Sequence, residues 1–141
     1  MMRTRLHTLL ALLAGVLLVL AVAPPASPQP TPRVLEVESN DGTYLVSYRI
    51  VPEDFEVGDL FGVEVEVRRA DGEPVTASLA VDARMPEHGH GMNREPLVEA
   101  GGEGRFSATN LMFHMPGYWE LYLDLTRGAV TERAQAPLEL E

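Results

Sequence analysis

Phe61-Gly62-Val63-Glu64-Val65-Glu66-Val67-Arg68 alternates apolar and polar side chains almost without a break. A period of two places successive side chains on opposite faces, so this stretch reads as a strand with one face buried and one in water. Further on, Val75, Ala77, Leu79, Val81 and Ala83 alternate with Thr76, Ser78, Ala80 and Asp82. Between the two runs lies Ala70-Asp71-Gly72-Glu73-Pro74, whose Asp-Gly pair suits the positive φ of a tight turn and predicts a hairpin. A third run sets Trp119, Leu121, Leu123 and Leu125 against Tyr118, Glu120, Tyr122 and Asp124. Weaker strands are expected at 34–38, 43–51, 97–99, 105–109 and 130–140, with Asn40-Asp41-Gly42 and Gly101-Gly102-Glu103-Gly104 as turns. Pro137 predicts that the last strand lies at a sheet edge.

No helical periodicity interrupts these runs. Seven or eight short strands at roughly ten-residue spacing predict an all-β fold over residues 34–141. The expected architecture is an immunoglobulin-like antiparallel two-sheet sandwich of about seven strands, preceded by an N-terminal hydrophobic leader helix. Residues 1–23 carry Arg3 and Arg5 ahead of an apolar run from Leu9 to Ala23, the pattern of a signal peptide or N-terminal membrane anchor. The run is shorter than the roughly 20 residues of a membrane span, and Pro24 follows the small-residue site Ala21-Val22-Ala23, so cleavage and retention both stay open. Residues 24–33 are a proline-rich linker, with Pro24, Pro25, Pro28, Pro30 and Pro32 favouring polyproline II. The domain is therefore expected to be exported, to the periplasm or the outer face of the inner membrane.

The net charge of −10 comes from 21 acidic residues against 11 basic ones, all arginine. With no basic stripe to neutralise phosphates, nucleic acid is not an expected partner, and membrane contact is expected only through an uncleaved leader. The absence of cysteine excludes disulfides and thiolate metal sites. No enzyme is expected. Ser107, His114 and Asp124 are the only set available for a hydrolase triad and lack a nucleophile elbow. The glycines at 101–104 lack the lysine of a phosphate loop, and no HExxH pattern occurs.

Outside the leader, every histidine and methionine falls between Met85 and Gly117, in Met85-Pro86-Glu87-His88-Gly89-His90-Gly91-Met92 and in Met112-Phe113-His114-Met115-Pro116-Gly117. Imidazole nitrogen and thioether sulfur together point to copper, Cu(I) in particular. In extended chain His88, His90 and Met92 would project to one side, with Gly89 and Gly91 leaving the other side open. Candidate metal ligands are Met85, His88, His90, Met92, His114 and Met115. Glu87 and Glu95 are candidate acceptors for a ring nitrogen, while Met112, Phe113 and Trp119 are expected in the core.

The blocks MPEHGHGM at 85–92 and MPGYW at 115–119, with Gly104-Arg105-Phe106 between them, resemble the YtkA-like family of bacterial envelope proteins. They are more distantly similar to FixH-like proteins, which are linked to assembly of copper-containing cytochrome oxidases. The resemblance covers about residues 34–140 and implies an immunoglobulin-like sandwich in the cell envelope. The expected function is an exported copper-binding domain for metal capture or delivery, handing copper to a copper-accepting or oxidase-assembly envelope protein. The alternative is a metal-free envelope protein-interaction or assembly module, whose histidine-rich loop serves as a recognition surface; a third reading has that loop pack against its own sandwich and only hold the strands together.

Overall fold

The computed structural model describes residues 32–141. The leader and the linker up to residue 31 lie outside the described residues, so the expected leader helix does too.

Where side chains alternate, strands form, and each buries its apolar face. The order is β1 (Leu35–Glu38), β2 (Tyr44–Val51), β3 (Phe61–Arg69), β4 (Ser78–Met85), β5 (His90–Gly91), β6 (Leu97–Gly102), β7 (Arg105–Leu111), β8 (Gly117–Arg127) and β9 (Val130–Leu140). Among the described residues there is no helix. The nine strands make two antiparallel sheets, a five-stranded one in the order β1-β2-β3-β7-β6 and a four-stranded one in the order β5-β4-β8-β9. The one strand beyond the eight segments expected is the two-residue β5, while the expected strand at 34–38 forms as the four-residue β1.

The expected parity holds along the three strongest runs. Val63, Val65 and Val67 from one sheet face Leu79, Val81, Ala83, Leu121, Leu123 and Leu125 from the other, all buried. Burying such side chains removes apolar surface from water at roughly 25 cal/mol per Å², which is the main force pressing the sheets together. Tyr122 departs from parity. It points away from the core yet is only 9% exposed, because the Arg133 guanidinium lies 4.0 Å over its ring while gripping Asp124 at 2.7 and 2.8 Å.

The expected hairpin between the first two runs does not form. β3 belongs to the five-stranded sheet and β4 to the four-stranded one, so residues 70–77 cross between sheets. The Asp-Gly turn itself is present, with Gly72 at φ 79° and its N–H donating to the Arg69 carbonyl at 3.1 Å. Arg69 clamps the Asp71 carboxylate through two hydrogen bonds, and this holds the Asp71 pKa down at about 2. After the turn, however, Pro74 has no N–H to offer a ladder, and Val75 and Ala77 turn inward to the core before β4 begins. Glu103 and Gly104, at φ 55° and 77°, make the tight turn between β6 and β7. β9 lies at a sheet edge, as Pro137 requires.

Candidate functional site

The C-terminal end of β4 and the N-terminal end of β8 lie side by side, since Arg84 pairs with Glu120 at the last rung of their ladder. This register brings the two histidine–methionine segments to one rim of the sandwich. β5 then folds back on β4, pairing His90 with Met85 and Gly91 with Arg84. Opposed residues in an antiparallel pair share a face, so His90 is turned to the same side as Met85.

Three imidazoles cluster there. The His90 ring centre lies 5.1 Å from that of His114 and 5.8 Å from that of His88. His88 is exposed, whereas His90 and His114 are half-buried against Trp119, their ring centres 6.0 and 5.5 Å from it. Trp119 is fully buried, stacks on Phe113 at 4.5 Å, and donates its indole N–H to the Met115 carbonyl at 3.0 Å. It is thus the core anchor expected from its alternation, and it also pins the backbone beside His114.

The ring nitrogens differ in their surroundings. His90 Nδ1 lies 3.2 Å from the Gly91 carbonyl, which as acceptor fixes the Nδ1–H tautomer and leaves the Nε2 lone pair free. Glu87 and Glu95, the expected acceptors, are exposed loop residues and make no hydrogen bond to a histidine ring. His114 Nδ1 is buried with no hydrogen-bond partner among the described residues. A buried polar atom left in that state is costly, by roughly 1–3 kcal/mol, unless a ligand or water satisfies it.

The thioethers are divided. Met85 is only 1% exposed and belongs to the core, its methyl lying 3.2 Å from where a Cβ on Gly117 would stand. Met92 and Met115 are half-buried at the edge of the core. Met112, expected inside, is half-exposed and lies outside the core cluster. It follows the last residue of β7 and alternates with the buried Leu111 and Phe113.

The loop geometry also differs from the extended chain expected. Residues 86–89 make a tight turn, with the N–H groups of His88 and Gly89 donating to the Met85 carbonyl at 3.2 and 3.0 Å and Gly89 at φ 69°. His88 therefore does not share a strand face with His90 and Met92, although its ring still reaches the cluster. The glycine that was read as keeping the loop open is what permits this turn. Among the described residues, no group of three or more histidine or acidic side chains stands close enough to hold a metal ion.

Two positioning contacts carried no motif in the sequence. Asn110 sits at φ 64°, donates its amide to the Glu95 carbonyl and accepts from Arg94, both at 2.9 Å, fastening the loop after Met92 to β7. The Gly58 N–H donates to the Phe113 carbonyl at 2.8 Å, tying the loop between β2 and β3 to the residue before His114. The only available hint was asparagine's tolerance of left-handed backbone.

A scan against family models matches residues 46–124 to the family described as YtkA-like. The chain belongs to the YtkA-like family. The matched span runs from β2 into β8 and so includes both histidine-bearing segments of this YtkA-like domain. No curated protein and no solved structure matches it significantly.

Proposed function

We propose that this chain is an exported, non-enzymatic copper-binding domain that captures Cu(I) in the cell envelope or hands it on, built on an immunoglobulin-like sandwich. The observation that carries the reading is the meeting of His90 and His114, from segments 24 residues apart in sequence, at a ring separation of 5.1 Å. Two imidazoles on one ion, with metal–nitrogen bonds of about 2.0 Å, hold their ring centres roughly 5–6 Å apart. The unpartnered His114 Nδ1 and the free His90 Nε2 supply nitrogen donors, and the half-buried Met92 and Met115 are the thioethers on the same two segments. A set that mixes imidazole nitrogen with thioether sulfur favours Cu(I) over zinc. Met85 would contribute from beneath, as core and as a sulfur donor, and the exposed His88 would exchange most readily with an incoming partner.

Titrating the purified chain with Cu(I) against a competing chelator tests this. Tight binding that is lost in the His90→Ala and His114→Ala variants supports it. Absence of binding, or binding indifferent to both substitutions, removes it. The second reading, a metal-free envelope interaction or assembly module, draws on the core burial of Met85 and the turn that fixes residues 86–89 as a rigid surface.

A further inference from the structure

Along the edge where β1 faces β9 the two sheets are joined near one end only, by the bridge from Ser39 to Ala134 and by hydrogen bonds of Ser39, Asn40 and Thr43 with Glu132 and Arg133. Beyond it, toward the histidine rim, lies a cleft of about 890 Å³. Its floor is apolar: Leu35, Ile50, Phe55, Leu138 and Leu140 line it, each only partly buried against the core. Its wall is acidic, with Glu53, Asp54, Glu56, Glu139 and Glu141 against the single cation Arg33. Glu53 accepts the Arg33 backbone N–H at 2.7 Å, and no residue of the described chain neutralises Asp54, Glu139 or Glu141 by an ion pair. Interior-facing side chains are thus left open to water beneath a ring of uncompensated carboxylates.

The cleft is mechanically joined to the histidine cluster. Phe55 stacks on Phe61 at 4.2 Å and lies 5.9 Å from Phe113, the residue before His114. The loop that carries Phe55 also holds Gly58, whose N–H bonds the Phe113 carbonyl.

We propose that this cleft is the docking site of a partner protein presenting a basic amphipathic segment, its apolar side chains on the Leu–Ile–Phe floor and its lysines or arginines against the carboxylate wall. Charge decides the occupant. A second copy of this chain, at net charge −10, would be repelled, as would nucleic acid or an anionic membrane surface. The proposal goes beyond the copper reading and is tested without metal.

The test uses the metal-free full-length chain with labelled methyl groups and, as probe, a ten-residue peptide of alternating lysine and leucine followed by NMR. Saturable shifts at Ile50, Leu138 and Leu140 are expected, weakened about tenfold by Glu53→Gln, Asp54→Asn and Glu56→Gln combined and by raised salt. The same charge change at the exposed Glu66, Glu73 and Glu99 leaves affinity unchanged if the cleft is the site. Equal weakening in both triple variants overturns the proposal in favour of diffuse attraction. Tetralysine binding as tightly as the amphipathic peptide, with the cleft methyls unmoved, overturns it in favour of a small-cation site. Because all variants are surface carboxylate-to-amide changes, folding is preserved. Failure here leaves the Cu(I) titration untouched, and failure of that titration leaves this one.

Discussion

Met85 stands where core packing meets the proposed copper site, and two substitutions separate the packing role from the proposed one. Its side chain is 1% exposed, so truncation to alanine forfeits the transfer of nearly a whole methionine side chain, about 1.5–3 kcal/mol. The residual hole adds to this. The core cluster it shares includes the stacked pair Trp119 and Phe113, rigid rings that fill a hole poorly, which brings the total for Met85→Ala to about 3–4 kcal/mol. Against the 5–15 kcal/mol that holds a typical domain folded, that is a large share. With an m-value of about 1.5 kcal/mol per molar, the urea midpoint should fall by about 2 M. Met85→Leu keeps the volume and should cost less than about 1.5 kcal/mol while removing the sulfur. A leucine variant that is stable but binds Cu(I) more weakly makes the buried sulfur a ligand, whereas unchanged affinity leaves the thioether role to Met92 and Met115. A loss below about 1 kcal/mol for Met85→Ala would refute the placement of this side chain in the core.

Gly104→Ala should be among the most damaging single changes. Its φ is 77°, and a Cβ would stand 2.4 Å from the Val67 carbonyl oxygen, so backbone must move at a cost of about 3–5 kcal/mol by urea unfolding. Gly72→Ala, at a similar φ with open space around it, should cost only about 1 kcal/mol, which isolates strain from collision. Burial pushes the Glu132 carboxyl up, but hydrogen bonds from Thr43 and Ser39 outweigh it and hold its pKa below the ordinary value. Its contribution is therefore complete above the unfolded glutamate pKa of about 4.3 and is lost as pH falls below it, so stability measured from pH 6 down should decline less steeply in Glu132→Gln. Asn110→Ala should cost about 1–2 kcal/mol and speed amide hydrogen exchange through residues 92–96, the loop it fastens.

The parity of β3, β4 and β8 was legible because each buries one face, and burial imposes a period of two on the sequence. Which strand pairs with which was not. Asp71-Gly72 turns the chain equally well within a sheet or between sheets, and only the inward packing of Val75 and Ala77 against the core decides for the crossing. The convergence of the two donor segments was expected only if strand order allowed it, and the β4–β8 ladder supplies that condition. The orientation of His88 was misread because glycine at 89 serves both an open extended loop and a tight turn. Met112 was misplaced because a single apolar residue at a strand end carries no periodicity of its own.

The seven rungs from Ser78–Thr126 to Arg84–Glu120 have a consequence for how this rim can change. A slip of β8 by one residue along that ladder would turn Trp119 out to water together with Leu121, Leu123 and Leu125, while β4 kept its face, so no intermediate alignment exists in which the histidines are merely displaced. Substitutions at the far end, near Leu79 or Leu125 and roughly 20 Å away at 3.4 Å per residue, should therefore act on the rim in an all-or-none way, through the fraction of molecules folded. Chains that remain folded keep the spacing of His90 and His114, and their individual properties should be indistinguishable from those of the parent.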